Sequence, residues 1–279
     1  PVGAASRDAM LSGDGLMVHD VRQAIGYHGN ELGRFRRLTC GGQDCGGASL
    51  VGPLQSANIR SLLNVRYLAA TLAPDNDTLQ AYVAGAPLQR VAGPVRNARG
   101  SMVYVYRYPG DNAPAWVASG ALKAPDDASL ATLLDPRFNE EMLRRVAIVD
   151  TASAMRTLPG PESVPAASPI TATVTRPTHS RIVVQLSQPA QEGNVLVVSE
   201  NFYPGWQATV DGQAAVAERV DYVLTGVPLR AGARQIELSF RDPKYDMGKL
   251  ITIVAVILAL AAVAAGIALD RRRRPAPAA

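Results

Sequence analysis

Apolar positions along this chain follow three regimes, and each predicts a different kind of structure. Up to about residue 157 the pattern changes period every few residues. Leu32, Phe35 and Leu38 recur at three-residue spacing within GNELGRFRRL and predict a short amphipathic helix. Ser56 stands as an N-cap before a second helix that turns Ile59, Leu62 and Leu63 toward a core. Val65 to Ala70 reads as a buried strand. Met102 to Tyr108 (MVYVYRY) alternates as a strand, and Trp116–Ala118 makes a shorter one. Asp126 or Asp127 caps a helix carrying Leu130, Leu133 and Leu134. Helix continues over 139–145 before a strand at 146–149.

After LPGPESVPAASP (158–169), with four prolines in twelve residues, the period becomes two. Thr171–Thr175, Arg181–Ser187 and Val195–Ser199 are β-branched runs. Trp206, Ala208 and Val210 alternate with polar neighbours up to Asp211-Gly212, a type I′ hairpin signal, and the chain returns through Gln213 to Arg219. Ile236, Leu238 and Phe240 alternate again after a turn at Ala231-Gly232. About seven such strands predict an antiparallel β-sandwich.

The third regime is Leu250–Leu269, twenty residues without a charge, followed by Asp270 and Arg271-Arg272-Arg273-Arg274. As a helix it reaches about 30 Å, the thickness of a bilayer core. Lys249 and the four arginines flank it as membrane anchors, and basic flanks are retained in the cytoplasm. The bulk of the chain is therefore expected outside the cytoplasm. The fold class that follows is α+β: a mixed α/β extracytoplasmic region over 1–157, a Pro-rich linker over 158–169, an antiparallel β-sandwich over 170–245, one transmembrane helix over 246–270 and a cytoplasmic basic tail over 271–279. The short DPKYDMG link keeps the sandwich near the bilayer surface. The chain opens at Pro1 without a charged n-region or apolar h-region, so export requires either a removed signal or earlier membrane helices.

Composition changes this picture little. The formal net charge is +4, from 28 basic and 24 acidic residues. Without Arg271–Arg274 it is 24 against 24, so nothing points to nucleic acid as a partner. Cys40 and Cys45, in TCGGQDCGG, read as a local disulfide in an oxidising compartment. A metal would need further ligands, and His19, His28 and His179 do not fall at paired spacing, so no metal and no cofactor is expected.

ENFYPGWQATVDGQ, then YVLTGVPLRAGARQIELSF and a Lys-flanked span, resemble the C-terminal end of the YfhO family of bacterial membrane proteins. The matching residues are Tyr203, Pro204, Gly205, Trp206, Val210, Asp211, Gly212, Val227, Pro228, Leu229, Gly232 and Phe240. IGYHGNELGRFRRL, LLNVRYLA, VYRYPGDNAPAWVASG and DPRFNEE are similar to the same family upstream. That family is polytopic and similar to GT-C-type glycosyltransferases. The resemblance implies a bacterial cell (inner) membrane location and a role in glycosylating cell-envelope polymers from polyprenyl-phosphate sugars. It also implies upstream membrane helices as partners, besides the lipid bilayer and envelope glycan. The family's presumed catalytic acids precede the residues of this chain, so no catalytic residue is carried over, and this stretch alone is not expected to catalyse. The alternative is a membrane-tethered, non-enzymatic carbohydrate-binding or structural sandwich.

Candidate binding residues are few. Tyr203 and Trp206 could stack on a sugar ring, or Pro204-Gly205 could simply turn the chain and Trp206 anchor a core, since it shares parity with Ala208 and Val210. Tyr27 and His28, near Asn30 and Glu31, could face a substrate cleft or order a helix start. Tyr104, Tyr106 and Tyr108 could form a platform or half-buried packing. Arg34, Arg36 and Arg37 could meet lipid phosphates or form a solvated helix face.

Overall fold

A computed structural model describes residues 16, 19–24, 31–46, 52, 55–97, 100–110 and 112–273. Two compact units divide the chain, residues 1–239 and 240–279. In chain order the elements are α1 (Gly33–Thr39), α2 (Ala57–Leu62), β1 (Tyr67–Ala70), α3 (Asp77–Tyr82), β2 (Gln89–Arg96), β3 (Met102–Arg107), β4 (Ala115–Ala118), β5 (Gly120–Lys123), α4 (Asp126–Leu134), α5 (Glu140–Arg145), β6 (Val146–Val149), β7 (Ala172–Thr178), β8 (Arg181–Leu186), β9 (Val195–Asn201), β10 (Trp206–Val210), β11 (Gln213–Ala215), β12 (Glu218–Val220), β13 (Leu224–Pro228), β14 (Gln235–Phe240) and α6 (Pro243–Arg273).

Three sheets form, in the orders β1-β3-β2, β11-β10-β14-β8-β7 and β4-β9-β13-β12-β6-β5. Among the described residues these strand pairings are antiparallel except β5 with β6, which are joined through α4 and α5 as a parallel pair requires. The six-stranded sheet is the middle layer. Along β9, Val195 and Val197 enter one core with Leu38, Ile59, Leu62, Leu130, Leu133 and Leu143 from the helices. Leu196 and Val198 enter another with Ile182, Val184, Ile236 and Leu238 of the five-stranded sheet. Strand β4 divides in the same way, Trp116 and Ala118 against Ala115 and Val117. That explains why these strands are apolar at successive positions: a strand buried on both faces has no polar side to alternate with. Strands β8 and β14 have one wet face and alternate, as the sequence predicts.

The sandwich thus has its antiparallel sheets and its C-terminal helix as expected, but its pairing crosses the Pro-rich stretch. Strands β4, β5 and β6 precede that stretch and lie in one sheet with β9, β12 and β13, which follow it. Residue pattern alone assigns Gln213 to Arg219 to one returning strand. Instead β11 pairs with β10, and two residues later β12 pairs with β6 and β13 in the other sheet. Strand β1 is shorter than expected and half-exposed rather than buried, because it lies at an edge.

Helix starts are mostly legible. Ser56 Oγ accepts from Ile59 N at 3.3 Å, and Asn139 Oδ1 accepts from Met142 N at 3.2 Å. The start of α4 differs: Pro125 is its N-cap, and Asp126 and Asp127 lie inside the first turn, where the helix dipole still favours them.

In the second unit, α6 is 31 residues long. Its part from Pro243 to Leu269 has a mean hydropathy of 2.9 over its best window and buries none of that surface, which is the composition of a membrane span. Its start is steadied by an Arg241–Asp246 ion pair at 3.2 Å.

Candidate functional site

The aromatic corner between β9 and β10 is built by a turn in which Trp206 N donates to Tyr203 O at 3.3 Å, with Gly205 at φ 138°. Phe202 N donates to Val223 O at 2.7 Å and ties the corner to the loop between β12 and β13. The two aromatic residues have separate fates. Trp206 is half-buried against the core between the sheets, and its Nε1 donates to Asn201 O at 3.3 Å. Its parity-mates Ala208 and Val210 are 4% and 3% exposed, so Trp206 packs as the first inward residue of β10. Tyr203 is 47% exposed.

Close in sequence, Glu200 at the end of β9 accepts from Arg22 at 2.7 Å and from Arg176 at 3.0 Å. Burial lowers the pKa of Arg176, and the neighbouring Arg22 lowers it further, while Glu200 opposes both. These groups form a structural ion cluster beside the corner.

A larger charged network joins the helices to the middle sheet. Arg219 on β12 donates to Asp126 Oδ1 and to Asp150 Oδ2, both at 2.8 Å. Arg34 of α1 donates to Asp126 Oδ2 at 2.6 Å, and Arg37 to Asp127 Oδ1 at 3.2 Å. Burial pushes the Asp126 carboxyl up, but hydrogen bonds from Arg34 and Arg219 outweigh it and hold the group below the ordinary carboxylate range. Arg36 pairs with Asp44 at 3.3 Å. The basic group of α1 thus engages carboxylates of its own chain, a role its spacing did not disclose.

The tyrosine stripe of β3 is packing. Tyr106 is fully buried and donates its hydroxyl to Leu72 O at 2.6 Å, Tyr104 stacks on it at 6.1 Å, and Tyr108 lies under the Arg60 guanidinium at 4.4 Å. Asp211 sits in the expected β10–β11 turn, and its carboxylate reaches across to β14. Its Oδ1 accepts from Gln235 N at 2.9 Å and Arg234 N at 3.2 Å. Those backbone donors, the Gln235 one most, hold its pKa below the ordinary carboxylate value.

Cys40 and Cys45 are joined as a disulfide, with Cα atoms 6.0 Å apart. Tyr27, His28 and Arg274 lie outside the described residues, as do the side chains of Arg271, Arg272 and Arg273. Lys249 lies in α6, ahead of the apolar run. Tyr203 and Trp206 are the candidate binding residues whose side chains are described, and the corner brings them together. Among the described residues no group of three or more His, Cys, Asp or Glu is placed to hold a metal. Sequence reasoning missed Asp221, a fully buried carboxyl between β12 and β13, because neither glycine nor alternation marks its turn. It also missed a cavity of the first unit, which follows the Pro-rich stretch read as a linker.

Comparison with known proteins adds one family. Residues 166–252 match the sequence model of the family described as bacterial membrane protein YfhO. No curated protein matches the chain. Two solved structures of the arabinofuranosyltransferase AftD from Mycobacteria are similar in part. One, of a mutant, is 27% identical over 38% of this chain and 8% of that one, with a TM-score of 0.28. The other is 28% identical over 40% of this chain and 8% of that one, with a TM-score of 0.29. This chain therefore spans a small fraction of that enzyme's length, and at these scores the likeness places neither its architecture nor its activity here.

Proposed function

From the premise that residues 166–252 are a YfhO-family region, we propose that this chain is the extracytoplasmic C-terminal module and last membrane helix of a YfhO-like integral membrane protein of the bacterial cell membrane. It supports glycosyl transfer from polyprenyl-phosphate sugars to cell-envelope polymers. One observation carries the reading: the family match is unbroken from the end of the Pro-rich stretch, through β7 to β14, into the apolar helix. Sandwich and membrane span are thus one inherited piece. The four arginines after the span favour a cytoplasmic C-terminus and an extracytoplasmic sandwich. The domain division 1–157, 158–169, 170–245, 246–270 and 271–279 belongs to this proposal as an order of sequence segments, with strands on both sides of the Pro-rich segment sharing a sheet.

In this role the module supplies surface and support, and the parent's upstream helices supply chemistry. The test is transfer of labelled sugar from a polyprenyl-phosphate donor in membranes holding the intact parent or a parent lacking residues 1–245. Loss of transfer with normal membrane insertion is expected. Full transfer by the truncated parent sinks the proposal.

A second reading, a tethered module that holds glycan without serving a transferase, draws on the 47% exposure of Tyr203. It predicts unchanged transfer in the truncated parent and reduced retention of glycan at the membrane.

A further inference from the structure

A groove of about 480 Å³ runs along the Pro-rich stretch of the first unit, a volume within the usual range of small-molecule sites. Its walls are Ser119 with the start of β5, the segments 156–158 and 165–170, and the β8–β9 loop at 191–194. The proline segment is pinned in place. Ser119 Oγ donates to Ala166 O at 2.6 Å, Leu158 N donates to Ala121 O at 2.8 Å, and Arg145 donates to Pro165 O at 2.7 Å and Val164 O at 3.0 Å. Such a wall is pre-formed, because proline fixes φ and the bonds fix the rest.

The lining carries the chemistry. Arg156 borders the groove, is exposed, and has neither an ion-pair nor a hydrogen-bond partner among the described residues. Glu192 also lines the groove, and its Oε2 accepts from Ala231 N at 3.2 Å. The Gln191 side-chain amide and the Ser168 hydroxyl add donors and acceptors, and the rings of Pro165 and Pro169 add flat C–H surface. Arg156 and Glu192 are the charged residues of the lining, so the groove has no net charge with which to select a polyanion or a lipid phosphate. Amide, hydroxyl, guanidinium and carboxylate groups over an apolar floor match a ligand dense in hydroxyls with C–H faces between them.

We propose that this groove binds a neutral glycan strand, whose hydroxyls are held by Arg156, Gln191 and Glu192. The inference rests on the reading that the region serves envelope glycosylation, and it identifies the part of the module that would hold the polymer.

The test uses the full chain in nanodiscs on an array of neutral and phosphate-bearing oligosaccharides, with Arg156→Ala, Ala167→Trp and Tyr203→Ala in parallel. Wild type is expected to retain neutral oligosaccharides. Arg156→Ala should weaken retention about tenfold, the loss of one charge-assisted hydrogen bond. Ala167→Trp, which fills the groove from a half-exposed loop, should abolish it, and both losses should exceed any caused by Tyr203→Ala. Arg156→Ala removes only an exposed side chain, so its result stands even if Ala167→Trp misfolds. Retention that survives both groove variants, that falls only with Tyr203→Ala, that is confined to phosphate-bearing sugars, or that is absent for every neutral oligosaccharide overturns the proposal. Transfer by the truncated parent is a separate readout, so the groove can fail while the transferase-support reading stands, and the reverse.

Discussion

Two hairpin loops of the sandwich each hold an aspartate in the left-handed region, Asp211 at φ 48° and Asp221 at φ 45°, and treat its carboxylate in opposite ways. Asp211 is partly exposed, receives two backbone N–H groups from Gln235 of β14 and the preceding Arg234, and has its pKa pulled down by them. Asp221 is fully buried. Its Oδ1 accepts from Ile148 N at 2.8 Å, its own N donates to Ile148 O at 2.8 Å, and Oδ2 has no hydrogen-bond partner among the described residues. Burial pushes this carboxyl up to about 7, against the smaller opposing pull of the Ile148 N–H. The residue that follows differs as well. Gly212, at φ 78°, has open space where a Cβ would stand, whereas Tyr222, at φ 69°, buries its side chain in the helix-side core. The same local geometry serves one turn that is set by its backbone and another that is set by what it buries.

The largest effect that sharpens this contrast is expected from the core side. For Asp221 the folded pKa lies above the unfolded one, so its stabilising state is the protonated one. Its contribution is complete at acid pH, falls as pH rises from about 4 through about 7, and is flat above that. The full swing is on the order of 4 kcal/mol. Asp221→Asn keeps the acceptor for Ile148 N–H, tolerates positive φ and cannot ionise. Denaturant unfolding of the chain in detergent should find the variant more stable than wild type at pH 8 and equal to it near pH 4. Equal stability at both pH values would break the contrast.

Tyr222→Gly comes next. Glycine relieves the positive φ, so the loss reads the core contribution alone, and about 3–4 kcal/mol is expected from the same unfolding curves. A neutral result would mean that Tyr222 is held by its loop and not by the core.

Asp211→Ala should cost about 1–2 kcal/mol at neutral pH, since solvent can replace part of what the backbone donors lose. Its pH dependence runs the other way from that of Asp221. A lowered folded pKa contributes stability at neutral pH that disappears as acid protonates the group, so wild type and variant should converge at low pH. The smallest change is Gly212→Ala, about 1 kcal/mol from backbone strain with no clash to add to it. A cost as large as that of Tyr222→Gly would show that the two turns are governed alike.

The contrast also explains what could be read from residues alone. Asp211-Gly212 is a recognised dipeptide for a two-residue loop, and the turn lies where it predicts. The loop Asp221–Tyr222–Val223 carries no glycine, and its conformation is held by Ile148, 73 residues away in sequence. Strands β8, β10 and β14 were legible because one face of each meets water. Strands β4 and β6 and the first four residues of β9 are apolar at every position, and nothing local tells such a run which layer it will join. The candidate site follows the same rule. Trp206 declares its inward face by parity with Ala208 and Val210. The groove at Arg156 and residues 191–194 depends on long-range hydrogen bonds to a segment whose prolines read only as a linker.

The most direct test of the central claim, that this region serves a larger YfhO-like membrane protein, is the intact mass of the native protein, detected with an antibody raised against residues 1–245. The account predicts a membrane protein well above the 29.5 kDa of this chain, with further spans on the same polypeptide. A native mass of 29.5 kDa would contradict it and leave a single-span protein that tethers its sandwich alone.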